Sequence, residues 1–392
     1  MQKLRVALAL FLAGTASSLS ATPAQDAAAI AALTQAFDPI VKGGPVSPVS
    51  TVTAVSIAFV EAGKVKWVRT FGLADFANKR RATDDTLFQA ASMSKPVAAL
   101  AALRLVDQGI LDLDQPINPR LRNWHVPTSA AGSTQSVTLA QLLSHTAGLT
   151  VSGFEGYEAG SRLPTVVNVL DGATPANSAA VKLFAEPGSS FAYSGGGYTV
   201  AQLLMTEATG ETFPSLMQRL VLKPLAMRRS SFAQPLAGRY VADAATGYDK
   251  SGKAIPGRQH IYPELAAAGL WTTSSDYARF VIAVQNAIAG GRHALLQRRT
   301  AVRMTTPVSS GYGLGLDVTA RGGRPAIAHG GANEGFRSVF FALLNGSRQG
   351  AVVLTNSDDG SAAGKSVLEI LGKIYGWGGA EPPRPPRARA PD

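Results

Sequence analysis

The sequence predicts an α/β protein in which one antiparallel sheet is flanked by N- and C-terminal helices and a mostly helical domain is inserted. Two observations lead to this fold class. Strand patterns occur near the N-terminus, where Val55, Ile57 and Phe59 alternate with smaller residues, and again in the C-terminal third. Helical stretches, loops and many Gly and Pro residues lie between them. We infer that strands from both chain ends pair in one sheet.

The elements at the two ends are predicted in chain order. Residues 25–42 have helical character and end at a Gly-Gly pair. A turn at residues 61–64 predicts that residues 65–70 return as the hairpin partner of the first strand. In the C-terminal third, strands are predicted at residues 312–318, 338–344 and 351–356, followed by a closing helix at residues 361–375.

The first residues are typical of a secretory signal peptide. Lys3 and Arg5 precede an apolar run from Val6 to Ala13, and small residues follow up to Ala21. Because the run is too short to span a bilayer, we expect export to the periplasm or beyond, with an uncleaved anchor helix as the alternative. The predicted organisation is a signal peptide at 1–21, a discontinuous α/β domain at 25–105 and 311–376, a helical domain at 106–310 and a disordered Pro/Arg tail at 380–392.

The composition excludes several classes of function. The chain has 392 residues, 46% of them hydrophobic, so it is long enough for a large core. It has no Cys, which excludes disulfides, thiolate metal sites and a Cys nucleophile. The five His residues form no H-E-x-x-H pattern, and we expect no metal and no cofactor.

The net charge of +11 comes without a nucleic-acid recognition motif. The densest basic cluster, Lys79–Arg81, is therefore interpreted as a solvated surface rather than a nucleic-acid site. No segment after the leader reaches eighteen consecutive apolar residues, so we expect no stable membrane insertion.

The best candidate for chemistry is the pair Ser92 and Lys95. Apolar residues at three- and four-residue steps follow Ser92, and Gly109 is a suitable helix stop. Since Pro96 is tolerated only near a helix start, Ser92 should lie at the helix N-terminus. Residues three apart share one helix face, so Lys95 can reach Ser92 and help to remove its proton.

This S-x-x-K spacing is a weak signal by itself. A chain of this composition contains about one such spacing by chance. The alternative interpretation is a Ser N-cap followed by a surface Lys. Other residues must therefore support a catalytic role.

Four segments, of which the first contains Ser92 and Lys95, carry a further signal. They are Thr86–Lys95, Leu103–Gly109, Leu142–Leu149 and Gly269–Thr273. In this order along the chain, they closely resemble the serine β-lactamase-related family. That family includes class C β-lactamases, D-alanyl-D-alanine carboxypeptidases, D-aminopeptidases and family VIII carboxylesterases. The resemblance covers residues 30–376 and implies a β-lactamase/penicillin-binding-protein-like fold.

The resemblance also implies site residues. The second family motif, Tyr-x-Asn, looks like Tyr193-Ser194-Gly195 here, and the third looks like His329-Gly330-Gly331. By resemblance, the nucleophile is Ser92, and Lys95 and Tyr193 share the acid/base role. The implied oxyanion hole uses the backbone N–H groups of Ser92 and Ala332. The implied substrate contacts are His329, Gly330, Gly331, Ser194 and Gly195.

A tyrosine base requires a large shift in its pKa. The usual pKa of Tyr is near 10. A tyrosine that acts as a base near pH 7 therefore needs its pKa lowered by about 3 units, which corresponds to a free energy of roughly 4 kcal/mol. An adjacent Lys95 ammonium would shift the pKa of Tyr193 in that direction. Whether Lys95 or Tyr193 takes the first proton stays open, because the two can titrate as a coupled pair.

Two departures from the family motifs bear on the substrate. His329 is mostly neutral near pH 7, whereas a third-motif Lys is a permanent cation for a substrate carboxylate. Gly195 has no amide to hold a substrate amide. Both departures favour a neutral ester over a β-lactam.

Two other residues are interpreted as structural. His145 is predicted to be a hydrogen bonder in a loop or at a helix end. The segment Tyr312–Gly315 lacks the last Gly of a nucleotide-binding motif and is assigned to a strand.

The predicted function is an exported serine hydrolase that cleaves small esters, or amides, through a Ser92 acyl-enzyme, most like a family VIII carboxylesterase. One alternative is a D-Ala-D-Ala carboxypeptidase, a D-aminopeptidase or a weak class C-type β-lactamase acting on peptide or lactam substrates. Another is a non-catalytic member that binds cell-wall peptide or a partner protein. A binding role does not require Ser92, Lys95 and Tyr193 together, which favours an enzyme.

Overall fold

The computed structural model describes residues 20–41, 52–127, 133, 137–378 and 391. The predicted signal peptide at 1–21 lies outside these residues except for its last two positions. The predicted tail at 380–392 lies outside them except for Pro391.

Strands from both chain ends form one antiparallel sheet of seven strands. Its order is β3-β2-β1-β9-β8-β7-β6, and β4 and β5 pair separately. The first strand pairs with the last, with Val55 opposite Thr355, so the predicted pairing of the chain ends is confirmed. The strands are β1 (Ala54–Glu61), β2 (Lys64–Asp75), β3 (Arg80–Arg81), β4 (Phe88–Gln89), β5 (Trp271–Thr272), β6 (Asp317–Arg321), β7 (Arg324–Asn333), β8 (Phe336–Leu343) and β9 (Gly350–Thr355).

The helices of the described residues lie on both faces of this sheet. They are α1 (Pro23–Val41), α2 (Ser94–Asp107), α3 (Leu139–Leu143), α4 (Val166–Asp171), α5 (Gly195–Thr209), α6 (Phe213–Met217), α7 (Tyr240–Asp243), α8 (Leu265–Ala268), α9 (Ser274–Ile288), α10 (Arg298–Met304) and α11 (Gly360–Ile374). Short 3₁₀ turns occur at Ala91–Met93, Asn118–Arg120 and Pro256–Arg258, and a π turn occurs at Gln218–Leu222.

Strand β1 shows how the sheet separates two hydrophobic cores. Every residue of this strand is buried, and successive side chains point to opposite faces. Val55, Ile57 and Phe59 pack into a core shared with the terminal helices. Ala54 and Ala58 face a larger core that contains the central helices.

The terminal helices cover one face of the sheet, as predicted. Leu33 and Phe37 of α1 and Val367 and Leu371 of α11 are fully buried in the same core as the β1 side chains. The periodic apolar positions of both helices account for this packing. The closing helix agrees with its predicted range to within one residue at either end.

Helix α2 lies at the centre of the larger core. Its first ten residues, Ser94–Leu103, are all buried, and four of them are Ala. Small side chains let neighbouring helices approach closely on every side. The helix ends before Gly109, whose φ of +71° is the left-handed conformation expected at a helix stop. The helix therefore holds its N-terminal residues deep inside the protein.

The C-terminal strands differ from the prediction in two places. Residues 312–316, predicted as the first part of a strand, form an irregular segment, and β6 begins only at Asp317. Strand β7 was not predicted, because Pro325 and the pair Gly330-Gly331 interrupt the residue pattern that indicates a strand. The other predicted strands match β1, β2, β8 and β9.

Helix α9 lies against the sheet, although it falls within the predicted helical domain at 106–310. Ser274 at its start is hydrogen-bonded to Ser56 of β1, with 2.8 Å between the hydroxyl oxygens. The division into an α/β domain and a helical domain stays a prediction. In the part of the chain described here, every helix is too short or too polar to cross a bilayer.

Candidate active site

The start of α2 exposes Ser92 at the edge of the larger core. Ala91 has a φ of +50°, and residues 91–93 form a tight 3₁₀ turn that leads into the helix. The Ser94 hydroxyl donates to the Ala91 carbonyl at 2.6 Å and accepts from the Leu270 N–H at 2.9 Å. These bonds hold the strained turn, and they leave Ser92 partly exposed while its neighbours are buried.

The Lys95 amine lies next to the Ser92 hydroxyl, as the helix spacing predicted. Lys95 Nζ is 3.1 Å from Ser92 Oγ and donates to the Ala267 carbonyl at 2.9 Å. Its side chain is buried, with only 2% of the residue exposed. The interpretation of Lys95 as a surface residue is therefore wrong.

Burial changes the protonation of Lys95. Removal from water disfavours the ammonium form and lowers the pKa of Lys95 to about 7. No carboxylate in the described part of the chain lies within ion-pair distance of the amine to restore its charge. A neutral amine can donate to Ala267 and accept the proton of Ser92 at the same time.

The Tyr193 ring is the third part of the candidate site, next to Ser92 and Lys95. Lys95 Nζ is 4.9 Å from the centroid of this ring, and only 8% of Tyr193 is exposed. His145 holds the backbone on both sides of the tyrosine. Its carbonyl accepts from the Ala192 N–H at 2.8 Å, and its Nδ1 accepts from the Ser194 N–H at 3.0 Å. The prediction of His145 as a hydrogen bonder in a loop is confirmed.

The pKa of Tyr193 is shifted upward, in the direction opposite to that required of a base. Burial raises this pKa, the Ser92 hydroxyl lowers it in part, and the charge of Asp317 raises it further. Because the pKa of Lys95 is lowered, the lysine loses its proton at a lower pH than the tyrosine. The geometry therefore favours Lys95 as the first base and Tyr193 as a proton donor.

His329 lies near Tyr193 as an uncharged side chain. The two ring centroids are 6.4 Å apart. His329 Nδ1 is 2.6 Å from the Gly330 carbonyl oxygen, and its Nε2 is 3.0 Å from the Tyr312 hydroxyl. Burial lowers the pKa of His329 to about 3, so the side chain carries no positive charge at neutral pH.

Gly331 explains how β7 comes to lie against the turn that carries Ser92. A Cβ atom at this position would overlap with the Ala90 carbonyl oxygen and with the Ser338 hydroxyl. That hydroxyl donates to the same Ala90 carbonyl at 2.7 Å. The absence of a side chain permits this close approach, and the next residue, Ala332, is exposed.

Ser194 and Gly195 lie beside the group without offering a free polar side chain. The Ser194 hydroxyl accepts from the Gly197 N–H at 2.9 Å and donates to the Thr150 carbonyl at 2.9 Å, which caps α5. A Cβ atom on Gly195 would lie 2.9 Å from Cε2 of the Phe154 ring. The ring thus occupies the space into which a side chain at residue 195 would project.

Three groups at the site were not predicted as part of it. They are the Ala267 carbonyl, Tyr312 and Asp317. The backbone carbonyl leaves no signal in a residue pattern, and Tyr312 was assigned to a strand. The charge of Asp317 raises the pKa values of both Tyr193 and Tyr312, and burial raises the pKa of Asp317 itself to about 7.

A family model described as Beta-lactamase matches residues 46–371. The chain belongs to the beta-lactamase family.

Several known proteins are similar to this chain in sequence. Esterase EstB of Burkholderia gladioli is 34% identical over 261 residues, which cover 64% of each chain. The unguisins hydrolase ungD of Aspergillus violaceofuscus is 25% identical, over 81% of this chain and 60% of that one. Protein flp of Staphylococcus aureus is 26% identical, over 58% and 42%. The chain thus spans less than two thirds of the length of each of these relatives.

Solved structures show the same fold. The hydrolase EstCE1 superposes with a TM-score of 0.71 at 22% identity, over 90% of this chain and all of that one. The D-alanine carboxypeptidase AmpC from Burkholderia cenocepacia superposes with a TM-score of 0.66 at 21% identity, over 88% and 99%. The predicted β-lactamase/penicillin-binding-protein-like fold is confirmed.

The lowered pKa of Lys95 predicts how the reactivity of Ser92 depends on pH. Below pH 7 the amine holds its own proton and cannot accept another, and above pH 7 it is free. The second-order rate of Ser92 labelling by a fluorophosphonate should rise with pH and level off above an apparent pKa of about 7. Mass spectrometry of the labelled peptide measures this rate. A flat profile between pH 5 and 9 would contradict a neutral Lys95 base.

The contact at Gly331 predicts a steric effect of substitution. Gly331→Ala should push β7 away from the Ser92 turn, destabilise the fold by about 1–3 kcal/mol and slow Ser92 labelling at least about tenfold. Gly330→Ala is the control for the free energy of unfolding, because its nearest contact would be an ordinary 3.8 Å. Urea unfolding and labelling rates test both variants. Equal unfolding free energies for the two would show that the close approach is not required.

Proposed function

We propose that this protein is a serine hydrolase that cleaves esters through an acyl-enzyme on Ser92. The observation that carries the proposal is the burial of Lys95 with its amine 3.1 Å from Ser92 Oγ and beside the Tyr193 ring. A neutral amine in this position activates a serine hydroxyl that is otherwise a weak nucleophile.

In the first half-reaction, Ser92 Oγ attacks the ester carbonyl carbon while its proton passes to Lys95 Nζ. The electron pair of the carbonyl moves onto oxygen, which the N–H groups of Ser92 and Ala332 receive. When the carbonyl re-forms, the bond to the alcohol breaks. Tyr193 gives its phenolic proton to the departing oxygen and recovers a proton from Lys95. In the second half-reaction, water takes the place of the alcohol and restores the Ser92 hydroxyl.

The surroundings of the nucleophile support a neutral ester as substrate. His329 is uncharged, and the lowered pKa of Lys95 makes its neutral form accessible near pH 7, so the site has no permanent cation for a substrate carboxylate. Gly195 and the Phe154 ring offer an apolar wall where a family motif places an amide. The similarity to an esterase from Burkholderia gladioli agrees with this choice.

We further propose that the protein acts after export, on small esters in the periplasm or outside the cell. The basic start and apolar run within residues 1–21 support this location. A D-Ala peptidase, a weak β-lactamase and a non-catalytic binder remain the alternatives that experiment must separate.

A substrate panel tests the proposed function. The mature protein should hydrolyse short p-nitrophenyl esters and be at least about a hundredfold less efficient, in kcat/KM, on a chromogenic cephalosporin and on D-Ala-D-Ala peptides. Ser92→Ala should lower kcat by about 10⁴-fold or more, and Tyr193→Phe by about 10²–10⁴-fold.

Tyr240→Phe is the matched control, because it removes a phenol that donates to the Arg228 carbonyl instead. Labelling of folded protein at Ser92, lost in Lys95→Ala, should accompany activity. If the cephalosporin is turned over faster than the esters, the protein is a β-lactamase and not an esterase. A folded protein that takes up no label would point to a binding role.

The crowding at Gly195 predicts that replacing this residue by Asn, the residue of the family motif, destabilises the protein. Gly195→Asn should be destabilised by about 1–3 kcal/mol, because its Cβ meets the Phe154 ring at 2.9 Å. The double variant Gly195→Asn/Phe154→Ala should recover part of that loss, which thermal unfolding measures. If the single variant is as stable as wild type, the ring does not fill this space.

A further inference from the structure

A cavity near the C-terminal end of helix α2 is lined by three arginines. It has a volume of about 360 Å³ and lies where the C-terminal ends of α2 and α9 meet the segment that leads into α10. Arg104, Arg292 and Arg298 line it, together with apolar side chains that include Leu295 and Leu296. At a rise of 1.5 Å per residue, Arg104 is about 18 Å along α2 from Ser92, so this cavity is separate from the candidate active site.

Backbone carbonyls accept hydrogen bonds from two of the three arginines. Arg104 donates from Nη1 to the Leu220 carbonyl, and Arg298 donates from Nε to the Ile288 carbonyl at 3.2 Å. Both guanidinium groups keep further N–H donors for another partner. In the described residues, none of the three arginines lining the cavity forms an ion pair with a carboxylate.

One acidic side chain also lines the cavity, and its oxygens are already engaged. Asp107 Oδ2 accepts from the Gln297 N–H at 2.8 Å, and Oδ1 accepts from the Thr300 hydroxyl. These bonds satisfy the N-terminal end of α10. The carboxylate offsets one of three positive charges, and the cavity lining keeps a net charge of about +2.

Of the three arginines, only Arg104 is partly buried, whereas Arg292 and Arg298 are exposed. Arg104 is half-buried, and both desolvation and the nearby Arg219 lower its pKa. A bound anion would offset the net positive charge of the lining, and planar guanidinium groups match the oxygens of a phosphate in pairs. The apolar part of the lining suits an organic group attached to the anion.

We propose that this cavity is a binding site for a phosphate monoester, with Arg104, Arg292 and Arg298 on the phosphate and Leu295 and Leu296 against the organic group. The site is independent of ester hydrolysis at Ser92. Its ligand is a compact dianion attached to a small apolar group.

Titration calorimetry on the full chain, with phenyl phosphate and inorganic phosphate as probes, tests the proposal. At low ionic strength, phenyl phosphate should bind with about one site per chain and more tightly than inorganic phosphate. Arg292→Gln/Arg298→Gln should weaken phenyl phosphate at least about tenfold, since it removes two charge-assisted contacts. Both side chains are exposed, so this double variant should fold.

The control is Arg162→Gln/Arg299→Gln, which removes the same charge from exposed arginines that do not line the cavity. This control should change the dissociation constant of phenyl phosphate less than about twofold, because salt screens the charges of distant exposed arginines. Arg104→Gln, checked for folding by circular dichroism, should weaken binding as well. Absence of binding to wild type, equal losses in both double variants, or equal affinity for phenyl phosphate and inorganic phosphate would each overturn the proposal.

Discussion

The burial of one amine determines the chemistry of the candidate site. Lys95 is surrounded by the Ser92 hydroxyl, the Ala267 carbonyl and the Tyr193 ring, and none of these compensates a full positive charge. Desolvation therefore makes the neutral form accessible near pH 7. The same burial raises the pKa of Tyr193, so that the phenol keeps its proton. One physical effect thus separates the two residues into a base and a proton donor.

The fold provides this burial by bringing distant segments around the start of α2. The carbonyl that accepts from Lys95 lies 172 residues further along the chain. Strand β7 reaches the Ser92 turn because Gly331 has no side chain to prevent the contact. His145 fixes the tyrosine by bonding to the backbone on both sides of it. Each of these supports is a backbone contact or a packing contact, so the fold itself positions the groups of the candidate site.

The departures at residues 195 and 329 now have a structural explanation. Residue 195 has no side chain because the Phe154 ring fills the adjoining space. The third-motif position holds a histidine that is buried, neutral and hydrogen-bonded to Tyr312. Together they replace an amide and a permanent cation with an apolar wall and an uncharged ring. These two features are the basis for the proposed preference for an uncharged acyl group.

Alternation, helical spacing and Pro96 are local signals, and they were enough to predict the sheet shared by the chain ends, the terminal helices and the placement of Ser92 at the start of α2. Strand β7 was not predicted, because Pro325 and two glycines interrupt the residue pattern that indicates a strand. The spacing of three residues also indicated that Lys95 reaches Ser92. The protonation of that amine, the position of Tyr193 and the role of Ala267 emerged from the folded structure, because desolvation and long-range contacts depend on segments that no local pattern connects.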